Sequence, residues 1–487
     1  MRRDVTQTTK TSNGIEPIPY DPILVEIADY VDGYVIRSDH AFEIARYCLM
    51  DSMACALDAL HDPACTRLLG PVVAGADMAN GARVPGTAYQ LDPVTAAFNI
   101  GAMVRWTDFS DTWVAAQTTH PSDDVGAILA VADYVSRASL AQGKPPLTMR
   151  TVLEAMIKAH EIQGVLGLGQ GLNPYGIDHV LLVKIACAAV VTKLLGGTRD
   201  QILAATSLAV FDAPLCVHRF GSNTGSRKGW AAAESASHAV RLALMAVKGE
   251  PGYPQVLSHP KWGFCKTRMG GAEFKRGAVY GTMVMENVIF KIMGPVVIHA
   301  QSAIECALEV STQVRDRLDD IAAIKLFTHQ RTLETIDKTG PLRNAADRDH
   351  CLQYAIAVCL LRGKLSAADY EDAAATDPRI NSLRALMSVT ENPAYTARYA
   401  DAALRANPNG LEIVFHDGGS SGLIERENPL GHPSRRKDGI PLLINKLSDR
   451  LSQFYGPGQQ RHIRDLCLDH ARFLDEPVPD FMNHFAR

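Results

Sequence analysis

The spacing of apolar residues most restricts what this chain can become, because that spacing changes along its length. Residues 41–60, AFEIARYCLMDSMACALDAL, set Ile44, Cys48 and Cys55 at helical intervals and read as a buried helix. The same period returns over 148–163 and over 198–210, where Thr198 and Gln201 form a capping box after the helix-stopping pair Gly196-Gly197. Asp21-Pro22 suits an N-cap and first helical position, with a helix following through Val31. Later the period falls to two. Ile324, Leu326 and Thr328 alternate with Lys325 and Phe327, and LEIVFHDGGSSGLIERE at 411–427 reads as two strands around an Asp-Gly turn. Helical spacing resumes at 438 with DGIPLLINKLSDRLSQFY. These shifts predict a mainly α chain, a large all-helical domain plus a smaller α+β domain. The predicted boundaries are a mobile tail over 1–20, the helical domain over 21–288, the α+β unit over 289–432, and a return to the helical domain over 433–487.

Bulk composition narrows the function classes. A chain of 487 residues, 47% hydrophobic, exceeds what one core usually serves, in keeping with two domains. Net charge is −4, from 49 basic and 53 acidic residues, and no long block of either sign occurs, so no nucleic-acid partner is expected. No apolar run approaches about 18 residues, so no membrane span is expected. The ten cysteines are scattered and never form C-x-x-C, as expected of buried thiols in the cytoplasm. Arg2, Arg3, Lys10 and the neighbouring threonines give a weak mitochondrial signal that lacks the apolar face of a transit peptide.

Metal and nucleotide signatures are missing from the sequence. Nothing has iron–sulfur spacing or the H-E-x-x-H pattern, and His160 and Glu161 are adjacent on a helix and so point apart. GLGQGL at 167–172 is a loose glycine pattern without a preceding strand, and no P-loop occurs. No metal and no cofactor is expected.

What remains is a set of polar clusters that interrupt apolar helices. WTDFSDTW and HPSDD, within 106–124, bring an acid, a hydroxyl and His120 together. NPYGIDHV at 173–180 puts His179 at the start of a long apolar helix, where the helix N-terminus disfavours an imidazolium. SNTGSRKGWAAA at 222–233 puts Arg227 and Lys228 before a helix-forming run, a combination suited to an anion. ADRDHCLQY at 346–354 adds a histidine and Tyr354.

Taken in order, DFSDTW, HPSD, GIDHVLLVK, NTGSRKGWAA, ENVIFK and ADRDHCLQY resemble the MmgE/PrpD family, over roughly residues 20 to 475. The resemblance implies a helical domain closed by an α+β lid, a homodimer, no metal, and a small tricarboxylate substrate. It implies elimination of water from 2-methylcitrate or a longer 2-alkylcitrate, with decarboxylation of a cis-aconitate-type substrate as the alternative. Carried over position by position, the family's site falls on Asp108, Thr112, His120, His179, Lys228, Lys291 and Tyr354; Arg227 joins it on charge grounds. His120 and His179 then divide the tasks of base and acid, in an order left open. Lys228, Arg227 and Lys291 stabilise developing charge, Asp108 orients an imidazole or the substrate hydroxyl, Thr112 contacts substrate, and Tyr354 donates a hydrogen bond. The chain departs from the family at FDAPLCVHRFGS, 211–222, and at Gly294-Pro295, where an aromatic is more usual. A missing aromatic near Lys291 predicts space for a longer alkyl group.

Overall fold

A computed structural model describes residues 18–220, 223–401 and 404–487. Most of the expected N-terminal tail therefore lies outside the described residues. The main helices of the first part are α1 (Pro22–Gly33), α2 (Asp39–Ala59), α3 (Pro93–Arg105), α4 (Val125–Ala141), α5 (Met149–Gly169), α6 (Val180–Leu194), α7 (Arg199–Leu208) and α8 (Arg227–Val247). The Thr198–Gln201 capping box forms at the head of α7. Asp21 behaves differently from a side-chain cap: its carboxylate accepts the backbone N–H groups of Leu257 (2.8 Å) and Ser258 (3.2 Å) and so ties down a distant loop.

Helix α6 is buried on nearly every side, which its unbroken run of valine, leucine and alanine requires. It packs on α8, and α8 in turn packs on α3. Close packing at α3 depends on glycine. A Cβ on Gly126 would come within 2.5 Å of the Gly101 nitrogen, and one on Gly101 within 3.1 Å of Ala233. The termini of α3, α6 and α8 are thus drawn into one region, and those termini carry the site.

In the second part, α9 (Gln301–Val314) and α10 (Leu352–Arg362) pack together beside a four-stranded sheet. Its strands are β1 (Ile321–Thr328), β2 (Met387–Glu391), β3 (Asn409–Phe415) and β4 (Ile424–Arg426), in the order β2-β1-β3-β4. Strands β1 and β2 are parallel; the other pairs are antiparallel. Ile324, Leu326 and Thr328 are buried on β1, and a turn through Asp417-Gly418 links β3 to β4. Helix α11 (Arg436–Phe454) then returns to α2.

The fold is mainly α with one small sheet domain. Two large hydrophobic clusters hold it together. One runs from Leu24 to Phe290 and resumes at Leu443; the other runs from Val296 to Phe415. A small patch of Val114, Ile289 and Ile298 joins them where the chain crosses over.

Candidate active site

The centre of the site is a carboxylate. Helix α3 ends on Arg105, and the chain then turns sharply enough that Asp108 takes φ +50°, a left-handed conformation that aspartate tolerates better than most residues. Asp108 is buried and accepts Arg105 Nη1 at 2.6 Å and Lys291 Nζ at 2.5 Å, with Lys228 Nζ at 3.5 Å. Burial alone would raise its pKa, but the charges of Arg105, Lys291 and Lys228 outweigh burial and hold it well below the usual range. Lys291 donates also to the Asp108 carbonyl at 2.8 Å. Burial pushes the lysine itself down to about 8, despite Asp108 beside it.

Behind Asp108 stand two imidazoles. Residues 111–124 loop back on themselves, pinned by paired bonds between Thr112 and Ile289 and between Trp113 and Thr119. His120 closes the loop, with Nδ1 3.0 Å from the Asp111 carbonyl and 3.3 Å from the Thr112 hydroxyl. A backbone carbonyl only accepts, so Nδ1 carries the proton and Nε2 keeps its lone pair, 4.0 Å from Asp108. Burial, then the charges of Arg105 and Lys291, hold His120 well below the ordinary histidine range, so it is neutral at pH 7. His179 precedes α6, and its ring lies 5.8 Å from that of His120. Each of its nitrogens faces a carboxylate: Nδ1 is 3.0 Å from Asp178, and Nε2 is 3.6 Å from Asp123. Asp178 is steadied by Arg219 at 2.8 Å and His218 at 3.1 Å.

The sheet-bearing part contributes Asp349 and His350, from the turn before α10. Lys228 Nζ, on the first turn of α8, lies 2.7–2.8 Å from both Asp349 oxygens and 2.9 Å from His350 Nδ1. His350 Nδ1 is also 2.7 Å from Asp349. A lysine only donates and a carboxylate only accepts, so Nδ1 serves one of these contacts at a time: bare, it accepts from Lys228; protonated, it donates to Asp349. Outside this contact lies a cavity of about 660 Å³, lined by Trp106, Asp108, Lys228, Asn344, Asp349 and Tyr370 among others. His120 and His179 do not line it; Arg105, Lys228 and Asp349 do.

Six of the positions read from the sequence thus come together: Asp108, Thr112, His120, His179, Lys228 and Lys291. Arg227 does not join them. Successive helical residues point about 100° apart, and Arg227 turns outward, stacking on Trp230 at 4.5 Å and pairing with Glu234. Tyr354 is core: its hydroxyl donates to the Asp369 carbonyl at 2.8 Å, and its ring backs Tyr370, which does reach the cavity. Gly294 opens no space, because a Cβ there would meet Leu365 at 3.1–3.2 Å. The sequence reading passed over Arg105, Asp123, Asp178 and Asp349, and noted His350 without placing it in the site. Three of these stood in plain view, as Asp-His pairs at 178–179 and 349–350.

Comparison with known proteins follows the same division. The MmgE/PrpD N-terminal domain model matches residues 25–277, and the MmgE/PrpD C-terminal domain model matches residues 295–470. The chain is 50% identical over 483 residues to the 2-methylcitrate dehydratase of Cupriavidus necator, covering 98% of this chain and 100% of that one. Against the 2-methylcitrate dehydratase of Salmonella typhimurium it is 51% identical over 471 residues, 96% of this chain and 98% of that one. Against the mitochondrial 2-methylcitrate dehydratase of Yarrowia lipolytica it is 45% identical over 473 residues, 96% and 90% of the two chains.

Proposed function

The chain belongs to the MmgE/PrpD family, and we propose on that footing that it is a hydro-lyase that eliminates water from 2-methylcitrate to give 2-methyl-cis-aconitate. The observation that carries the chemistry is the pair of imidazoles in contrasting surroundings, His120 among cations and His179 among carboxylates.

In the proposed reaction a substrate carboxylate takes the place of Asp349 on Lys228, which opens the way to the two rings. His120 Nε2 removes the proton from the carbon beside a carboxylate. The electron pair of that C–H bond becomes the new C=C bond, and hydroxide departs from the adjacent carbon. His179 supplies a proton from Nε2, so the leaving group is water, while Asp178 holds the opposite edge of the ring. Charge that spreads into the substrate carboxylate meets Lys228, Lys291 and Arg105, which are already in place and need no reorganisation. Asp108 spaces those three cations, and His350 sits beside Lys228.

The lid reading of residues 289–432 is supported by the separate hydrophobic cluster of that segment. The homodimer is supported by exposed Phe211, Leu215, Val217 and Phe220 on one loop. A cytoplasmic setting is supported by ten cysteines that are all free. Incubation of the protein with 2-methylcitrate tests the function: a rising absorbance from the conjugated alkene, with carbon conserved by mass, is expected. Release of carbon dioxide would mark the decarboxylase instead. His120→Ala and His179→Ala should each lower turnover by about 10²-fold or more; a wild-type rate removes that residue from the proposed pair.

A further inference from the structure

A further histidine lies deeper than the site. His160, on α5, is fully buried and has its Nδ1 2.9 Å from Asp124 and its Nε2 3.3 Å from Asp111. Cys48 lies 3.8 Å from the same Asp111 oxygen. The other Asp111 oxygen accepts the Ser122 N–H at 3.0 Å. Gln163, one turn along α5, donates to Asp124 at 3.2 Å and to the Pro121 carbonyl at 3.0 Å. Both ends of the 111–124 segment are therefore fastened to α5 from beneath. The backbone carbonyl of Asp111 is the group that sets the tautomer of His120.

These contacts have a directional sense. An imidazole with a carboxylate at each nitrogen carries both protons, and although burial alone would lower its pKa, the paired charges of Asp124 and Asp111 raise His160 well above the ordinary histidine range. A single charged clamp between two buried acids leaves the trio with one net negative charge. Packing alone does not call for charge here, since three apolar side chains in place of His160, Asp111 and Asp124 would fill the same space at less cost in desolvation.

We propose that His160 is a positioning residue for the elimination: by clamping Asp111 and Asp124 to α5 it holds the Asp111 carbonyl against His120 Nδ1, so that Nε2 is left as the free base. This inference rests on the reading of His120 as the base. The charged and titratable groups facing His120 are Arg105, Lys291, Asp108 and His179; those facing His160 are Asp111, Asp124 and Cys48.

The test uses His160→Gln and the charge-balanced pair Asp111→Asn/His160→Gln, with two readouts. The first is steady-state kinetics on 2-methylcitrate. Loss of the clamp lets the base drift, and a displacement of about 1 Å can cost roughly 10²-fold, so kcat should fall by that order while KM stays within about threefold. The second readout needs no turnover: deuterium exchange at the imidazole C2 position of His120, followed by mass spectrometry across pH. Removing the positive charge of His160 leaves two uncompensated carboxylates nearby, so His120 should titrate at a higher pH in the single variant. In the double variant the net charge is again −1, and the titration should return toward wild type while kcat remains low. A kcat within twofold of wild type in either folded variant overturns the proposal, as does an unmoved His120 titration in His160→Gln. Should the single variant fail to fold, low kcat in the folded double variant supports the proposal and wild-type kcat overturns it. If wild type itself does not turn over 2-methylcitrate, the dehydratase reading fails, and the exchange measurement still decides whether His160 acts on His120.

Discussion

Replacing Asp108 by asparagine should destabilise the protein by about 3–5 kcal/mol, the cost of removing one partner from a buried ion pair. Two cations depend on this carboxylate, Arg105 at 2.6 Å and Lys291 at 2.5 Å, yet the loss should not double. Lys291 is already pushed down to about 8 by burial, and without Asp108 it would fall further and shed its proton near pH 7. Arg105 cannot do so and keeps only Asp123, at 3.7 Å. Asparagine tolerates φ +50° where alanine does not, so Asp108→Ala should cost a further ~1–2 kcal/mol from the backbone alone. The two terms separate in urea unfolding of wild type and both variants at pH 7. Their pH dependence supplies a second check. The folded pKa of Asp108 is depressed, so its contribution is present above the unfolded value, ~3.9, and is lost as pH falls through the folded value. The folded pKa of Lys291 is depressed too, so unfolding binds a proton above pH 8 and stability from this group rises from there toward the unfolded lysine value. In Asp108→Asn that rise should begin at lower pH. A variant within 1 kcal/mol of wild type, on the scale of an exposed pair, would refute the reasoning, and so would a rise that still starts at pH 8.

Three further outcomes are expected. Lys228→Met should lower turnover by about 10²-fold, whereas Arg227→Ala and Tyr354→Phe should stay within a few-fold of wild type, because one points outward and the other bonds a backbone carbonyl; paired kinetics on 2-methylcitrate check this. Gly294→Ala should lower the unfolding midpoint without altering the ratio of kcat/KM for 2-methylcitrate and 2-propylcitrate, because Leu365 occupies the space. Activity should survive exhaustive dialysis against a chelator: Asp108, Asp349 and His350 form a grouping that could hold a cation, but the Lys228 ammonium stands 2.7–3.5 Å from its donor atoms.

What could be read in advance was what depends on neighbours in sequence. Helical period, the Thr198–Gln201 box and the alternation along β1 are all local, and each appears in the fold. Polar segments could be picked out on the same basis, as interruptions in apolar helices. Which residue of a segment faces the site is a different matter, because direction depends on the helix's placement. Arg227 and Lys228 are adjacent in sequence and about 100° apart around α8. In ADRDHCLQY the residues that reach Lys228 are Asp349 and His350, in the turn, while Tyr354 has already entered the buried face of α10. Gly294 shows the limit most plainly. A missing side chain suggests space, but Leu365, 71 positions later, fills it. The His160 clamp draws on three separate stretches of chain, and no local pattern announces it.

The sign of the charges explains why an acid from the second domain belongs in a site for an anion. Arg105, Lys228 and Lys291 are held by Asp123, Asp349 and Asp108, so the fixed groups sum to about zero before any substrate arrives. Bare cations at this depth would each face a desolvation cost of several kcal/mol, and Lys291 shows the consequence in its lowered pKa. Asp108 cannot leave, because it is buried among all three cations. Asp349 is different: it comes from the other domain, at the cavity wall, and its partner Lys228 also lines the cavity. It can hold Lys228 until a substrate carboxylate of the same sign and shape displaces it. The exchange leaves the ion pairs equal in number, so the proposed substrate enters without stranding a buried charge.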